Sequence, residues 1–304
     1  MKPIRIAIIG FGKIAGDQHL PSIAGNPRFE LVASSSRSGQ GPQPTFTDWR
    51  ELLRTVKPEA VAITTPPGPR YEIARECVLA GVHCLLEKPP TATLAEIDDL
   101  ASLAEARQVS VYTTWHARHH PAVEEAAKAL AGKRIASFEI LWHEDVHKWH
   151  PGQQWVWDPG GFGVFDPGIN ALSIATRILP IPLFVREARL FVPANKQAPI
   201  AASLDFVGED LRAEMDWRHS EGERWTIRVQ TTAGRVVELR DGGARLSIDG
   251  VEQVLAERGE YPSIYDRFAE LVADKTSEVD SEPLRIVADA FLVGHRELVE
   301  PFCD

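Results

Sequence analysis

The sequence predicts an α/β chain in two domains: a doubly wound parallel sheet, then an α+β domain built on an open, mainly antiparallel sheet. Three observations carry this. Short apolar runs alternate with helical segments up to about residue 113, as expected for strands buried on both faces and joined by crossover helices. The first of these runs ends in a glycine cluster that opens a helix. Beyond Pro121 the apolar residues alternate along longer segments separated by Gly-containing turns, the pattern of hairpins. At 304 residues the chain is long enough for two cores, and a boundary near 120 gives domains 1–120 and 121–304.

The elements follow in order. Ile4–Ile9, 29–34, 60–64, 82–86 and 109–113 read as parallel strands, the third stopped by Pro66-Pro67, which cannot continue a ladder. Residues 71–80, closed by Gly81, and Leu94–Arg107, opened by Thr93 as N-cap, read as helices. Pro21 falls inside the helix expected after the glycine cluster and should end or kink it. A helix at 122–131 leads to a strand at 135–142 with Ala136, Phe138, Ile140 and Trp142 on one face. A loop rich in Trp, His, Gly and Pro covers 143–168, and a helix follows at 169–178. Strands are expected at 183–192, 202–207, 211–217, 225–231, 235–239 and 244–248, with hairpin signals at Ala233-Gly234, Asp241-Gly242 and Asp249-Gly250. Helices near 264–273 and 284–295 close the chain.

Composition narrows the class. The formal charge of −10, from 43 acidic against 33 basic side chains without long runs, argues against nucleic acid or an anionic membrane surface as partner. The three cysteines form no C-x-x-C pair and no disulfide framework. The apolar stretch at 4–9 is too short for a signal-peptide core, and no run approaches the ~20 apolar residues of a membrane helix, so a cytoplasmic protein is expected.

Gly10-Phe11-Gly12-Lys13-Ile14-Ala15 reads G-x-G-x-x-A directly after the first strand. The first glycine permits the tight turn, the second lets backbone approach a pyrophosphate, and a small third residue keeps helix and strand close. In a β-α-β series this is the fingerprint of a Rossmann-type nicotinamide dinucleotide domain, with the cofactor expected on Gly10, Phe11, Gly12, Lys13 and Ile14. The second strand ends Ser34-Ser35-Ser36-Arg37, without the carboxylate that holds the ribose of NAD. Ser36 and Arg37 suit a 2′-phosphate, so NADP is the preferred cofactor and NAD is expected to be accepted.

Two places suggest chemistry. Glu87-Lys88-Pro89-Pro90 lies at the end of the fourth expected strand, where ligands bind, and a lysine there can bond a substrate hydroxyl or take up a proton. An ordinary surface turn is the plain alternative. Asp166 and Asn170 stand at i, i+4 and share a face if Pro167 opens the helix; the plain alternative for Asp166 is an N-cap.

The glycine loop, the Glu-Lys-Pro segment and the glycine-rich run ending in Asp166 together resemble the glucose–fructose oxidoreductase / inositol dehydrogenase family, over essentially the whole chain. Within it, residues 143–155 and 163–173 resemble the bacterial aldose 1-dehydrogenases acting on L-arabinose and D-galactose, and Ser36-Arg37 resembles their NADP-preferring members. The resemblance implies oxidation of an aldopyranose (L-arabinose, D-galactose or D-fucose) at C1 to the lactone. Lys88 matches the family's catalytic lysine and Asp166 its motif aspartate, while Asn170 stands where many members have a catalytic histidine, as the aldose subgroup does. Lys88 and Asp166 together are assigned the proton, which a carboxylate ionised at neutral pH can accept. Asn170 would orient the anomeric hydroxyl. His116, Glu144, Trp149, His150 and Trp155 are expected to bind the sugar, and Thr65, Pro66, Glu87 and Lys88 to contact the cofactor. A homo-oligomer, a dimer on the outer face of the second sheet, is implied by resemblance alone.

Five of the eight tryptophans, Trp115, Trp142, Trp149, Trp155 and Trp157, fall between residues 115 and 157. Indoles pack on the C–H face of a sugar; Trp142, on its alternating strand, reads as core, whereas Trp149 and Trp155 read as substrate contacts. His143-Glu144-Asp145-Val146-His147 also matches H-E-x-x-H, but a zinc site needs that motif on one helix, and here it follows a strand and runs into a Pro-Gly loop. A non-catalytic sugar or NADP sensor on the same fold is the rival of a different class; retention of Lys88 and Asp166 speaks for an enzyme.

Overall fold

In the computed structural model, residues 2–256 and 259–303 are described, and they divide into two compact units. The first runs up to His116 and takes in Gly259–Ser281; the second starts at Ala117 and resumes at Glu282. The helix expected at 264–273 spans Glu260–Asp274 and belongs to the first unit, not to the second as its place in the sequence suggested. Its apolar face decides this: Ile264, Tyr265, Phe268 and Leu271 share a buried core with Ile6, Ile8, Phe29 and Tyr112.

The first unit contains β1 (Ile4–Ile9), β2 (Phe29–Ser35), β3 (Thr45–Phe46), β4 (Ala60–Ile63), β5 (His83–Leu86) and β6 (Val111–Thr113). They form one sheet in the order β3-β2-β1-β4-β5-β6, and every pair is parallel. β3 and the helix Trp49–Val56 have no counterpart among the expected elements. The buried strands are continuous apolar runs because helices cover the sheet, among them Pro67–Leu79 and Leu94–Arg107. Thr93 caps the latter as expected: its hydroxyl accepts from Glu96 N, and Glu96 returns the bond to Thr93 N at 3.0 Å.

Pro21 does not end the first helix. Residues 13–24 are continuously helical, with a wide π turn over Ala15–His19 in which Leu20 N–H donates to Ala15 O. That turn passes into α-helix at Leu20–Ala24 with Pro21 in the first turn, where a missing N–H costs little. His19, the last residue of the wide turn, is fully buried.

The second unit holds β7 (Ile135–His143), β8 (Val185–Pro193), β9 (Ala201–Phe206), β10 (Leu211–Asp216), β11 (Arg224–Thr231), β12 (Val236–Arg240), β13 (Arg245–Ile248), β14 (Val251–Glu252) and β15 (His295–Val299). Their order is β14-β13-β12-β11-β7-β10-β9-β8-β15. Among the described residues only β7–β10 and β8–β15 pair in parallel, so the sheet is mixed and mainly antiparallel. The three expected hairpins join β11 to β12, β12 to β13 and β13 to β14. Helices Pro121–Leu130, Phe165–Ile178 and Glu282–Val293 pack on the face that carries Phe138, Ile140 and Trp142. The opposite face is laced by cross-strand ion pairs such as Arg212–Glu139 and Arg228–Glu238. Among the described residues no helix is long and apolar enough to cross a membrane.

Candidate active site

In the first unit, the loops that follow the strands carry the expected cofactor residues. Gly10 has φ +97°, and a Cβ there would stand 2.6 Å from Thr65 Cγ2 and 2.7 Å from Thr65 N, so the β1 and β4 loops meet only across a glycine. A Cβ on Gly12 would meet only Gly10 O, at 3.8 Å, which leaves the start of the helix accessible to a phosphate. Gly10 N and Phe11 N both donate to Ser35 O, fixing the loop on β2. Ala15 is fully buried against the sheet, while Lys13 lies exposed beside Asp17 and Ile14 is exposed. The Thr65 hydroxyl is buried without a hydrogen-bond partner among the described residues, and Pro66 beside it is exposed. At the end of β2, Ser36 Oγ donates to Gln40 O at 2.7 Å and Arg37 is exposed. Glycine shelf, free helix-start amides and an orphaned hydroxyl together fit a dinucleotide.

Lys88 follows β5 on a turn held from several sides. The Glu87 carboxylate, 4% exposed, accepts from His19 Nε2 at 3.0 Å and from Tyr261 Oη at 2.7 Å through Oε1, and from Lys88 N at 2.8 Å through Oε2. Burial alone would raise this carboxyl; the His19 and Tyr261 bonds and the neighbouring His19 and His116 rings hold it well below the usual range. Burial and the Glu87 charge push the Tyr261 and Tyr265 phenols up, so Tyr261 remains a donor. Tyr265 Oη lies 2.8 Å from His19 Nδ1. The buried Arg70 guanidinium donates to the carbonyls of Thr65, Glu87 and Pro89, tying the turns after β4 and β5 together. The Glu87 side chain therefore points into the unit. The carboxylate is better satisfied by these three donors than by solvent. His116 also belongs to this unit: its ring stacks on Tyr261 at 5.8 Å, and Nδ1 lies 3.3 Å from Glu260.

In the second unit, the expected substrate-site residues gather around helix Phe165–Ile178. Because the helix begins at Phe165, Asp166 and Asn170 lie within it, one turn apart on one face. Asp166 does not cap this helix: Val164 occupies the N-cap position, and the Asp166 carboxylate is 3% exposed. Gly168, between them, has no room for a side chain, since a Cβ would collide with Met215 on β10. His150 Nε2 stands 3.6 Å from Asp166 Oδ2, and its ring lies 4.9 Å from that of Trp217. Gln153 Oε1 lies 3.3 Å from His150 Nδ1 and accepts from Trp155 Nε1 at 3.2 Å. The Asn170 amide oxygen is buried with no partner among the described residues.

Glu144, just after β7, is buried and receives two indole N–H groups, Trp217 at 3.1 Å and Trp225 at 3.0 Å. Trp225 is opposite Trp142 on the neighbouring strand and stacks on it at 5.8 Å; Trp149, 44% exposed, leans on Trp225 at 5.6 Å. Trp142 is core, as its alternation predicts. The unit thus gathers Glu144, Trp149, His150, Trp155, Asp166 and Asn170, while H-E-x-x-H straddles the end of β7 and a one-turn helix, Val146–Trp149, and lacks the continuous helix zinc would need. A cleft of about 460 Å³ beside Trp217 is lined by Asp145, His147, Arg218 and Phe302 and includes neither Asp166 nor Asn170.

Trp217, Trp225, His19, Tyr261 and Arg70 were beyond the sequence reading. The two tryptophans carried a signal: each shares parity with the inward residues of its strand, Met215 for one and Ile227 for the other.

Residues 4–114 match the family model described as the oxidoreductase family with an NAD-binding Rossmann fold. The whole chain aligns, at 47% identity over 309 residues and 100% of both proteins, with the galactose 1-dehydrogenase of Pseudomonas fluorescens. The chain belongs to the glucose–fructose oxidoreductase / inositol dehydrogenase family. It is an oxidoreductase built on a nicotinamide dinucleotide-binding fold. A solved structure, the D-galactose-1-dehydrogenase protein from Rhizobium etli, superposes with a TM-score of 0.94 at 48% identity, covering 100% of this chain and 99% of that one. A 3-ketoreductase from Actinomadura kijaniata in complex with NADP and TDP-benzene shares the fold alone, with a TM-score of 0.84 at 19% identity over 98% of this chain and 99% of its own.

Proposed function

We propose that the protein is an aldose 1-dehydrogenase that oxidises D-galactose and its relatives L-arabinose and D-fucose at C1 to the lactone. The observation that carries this is the Asp166–Asn170 pair on one helix face, with the Asn170 amide oxygen buried and unpartnered among the described residues. A substrate hydroxyl would complete it. Full-length likeness to two galactose 1-dehydrogenases supports the substrate class. L-Arabinopyranose has the ring stereochemistry of D-galactopyranose without the exocyclic CH2OH, so one pocket can take both.

Gly10, Phe11, Gly12, Lys13, Ile14, Thr65 and Pro66 would hold the cofactor, which would supply the acceptor for the hydride that leaves C1. Lys88 and Asp166 are together assigned the proton of the anomeric hydroxyl. As the C1–H bond breaks, the hydroxyl oxygen loses its proton to them and closes the lactone carbonyl. Asn170 orients that hydroxyl, His150 backs Asp166, and the ring lies against Trp149 and Trp155 with Glu144 and His116 reading its hydroxyls. Ser36 and Arg37 favour NADP, and NAD is accepted because no group there repels it.

The test is reduction of NADP or NAD by a panel of aldoses and inositols, followed by the near-ultraviolet absorbance of reduced nicotinamide. Turnover with D-galactose, L-arabinose or D-fucose supports the reading; tight cofactor binding without turnover of any sugar contradicts it.

A further inference from the structure

Lys88 carries its proposed role only if its turn is rigid, and apart from Glu87 the groups that hold the turn lie outside every motif of the sequence. Its own N–H is taken by Glu87 Oε2 at 2.8 Å. The other oxygen of the same carboxylate is held by Tyr261 and His19 at 2.7 and 3.0 Å, and His19 is steadied by Tyr265 at 2.8 Å. The carbonyls on either side, of Glu87 and Pro89, are held by buried Arg70. His19, Glu87, Arg70, Tyr261 and Tyr265 are all buried, so none is spent on solvent. They come from four separate stretches, including a helix near the end of the chain, Glu260–Asp274.

We propose that His19, Glu87, Arg70 and Tyr261 form a latch whose task is to fix the Lys88 backbone, and that Tyr261 and His19 are thereby positioning residues for the dehydrogenase reaction. The inference rests on the reading of Lys88 as a catalytic group. It assigns a function to the return of Gly259–Ser281 to the first unit: this segment brings the hydroxyl that orients Glu87. His19 Nε2 lies 3.0 Å from Glu87 Oε1 and its Nδ1 2.8 Å from Tyr265 Oη, while Tyr261 O–H donates to the same Glu87 oxygen and Lys88 N–H to the other.

The test uses the full chain and two mild substitutions, Tyr261→Phe, which removes one hydroxyl, and Glu87→Gln, which keeps the shape. Amide hydrogen exchange at Lys88, measured without any substrate, is expected to speed up by about fivefold in each, the worth of one hydrogen bond, while the glycine-loop amides keep their rates. The turnover number is expected to fall about tenfold with the dissociation constant of NADPH unchanged, as loss of positioning predicts. In a Lys88→Ala background, Tyr261→Phe should have no further effect on turnover. Unchanged exchange at Lys88 overturns the latch. Equal loss of turnover with and without Lys88 overturns the positioning role and leaves a structural one. If the unsubstituted protein turns over no aldose, the aldose reading fails, and the exchange experiment still decides the latch.

Discussion

His150 and Asp166 are paired in the second unit, with Nε2 of the one 3.6 Å from Oδ2 of the other. The pair ties the aromatic loop after β7 to the helix that carries Asn170. It gives the carboxylate, itself only 3% exposed, a polar neighbour. Removing the carboxylate should therefore cost chemistry more than binding. Asp166→Ala is expected to lower the turnover number by about a hundredfold or more, the usual worth of a general base, while NADPH fluorescence titration returns an unchanged dissociation constant. A variant with normal turnover would remove Asp166 from the reaction.

Arg37 is exposed at the end of β2, with Ser36 anchored beside it on Gln40 O. A guanidinium that meets a 2′-phosphate makes a charge-assisted bond which NAD cannot provide. Arg37→Ala is expected to weaken NADP binding about tenfold and to leave NAD within about twofold, as judged by dissociation constants for both. Equal losses for the two cofactors would show that Arg37 does not read the phosphate.

Glu144 accepts two indole N–H groups in a buried setting. In Glu144→Gln one indole would face an amide NH2 in place of an oxygen, an unsatisfied donor pair worth about 1–3 kcal/mol. The variant should lose stability of that order in urea unfolding and show a raised KM for the sugar. A fully stable variant with normal KM would contradict the role given to Glu144.

Glu87 gives the fold a pH signature of known sign. Burial opposes its ionisation, but His19 and Tyr261 overcome this and bring the carboxyl below its ordinary value of 4.5. A folded value below the unfolded one means that the stabilisation is complete above about pH 4.5 and is lost as pH falls through the folded value. Melting temperature should therefore fall more steeply on acidification below that point in the unsubstituted protein than in Glu87→Gln. Parallel curves would show that Glu87 does not contribute in this way.

The extent to which the sequence revealed these features follows their range. The glycine loop, the Thr93–Glu96 capping box and the hairpins at Ala233-Gly234 and Asp249-Gly250 are local, and local chemistry decides them. The sequence reading runs helix 284–295 through Gly294, but it stops at Val293; Gly294, where a Cβ would stand 2.4 Å from Ala290 O, makes the close turn, and His295–Val299 continues as an edge strand beside β8. The charged texture of that strand hid it, since edge strands carry such residues by nature. The destination of helix Glu260–Asp274 was equally hidden. An amphipathic pattern says that a face is buried, not which sheet buries it. With that helix went the partners of Glu87, so the motif Glu87-Lys88-Pro89 was legible while the groups that hold it were not.

The central claim is that hydride leaves C1 of an aldose. D-Galactose deuterated at C1, incubated with the protein and NADP, tests it most directly by mass spectrometry of the reduced cofactor. The expected result is one deuterium on the nicotinamide together with galactonolactone, and slower reduction than with the unlabelled sugar. Reduced cofactor free of label, or no reduction at all under conditions where NADP binds, would contradict the account.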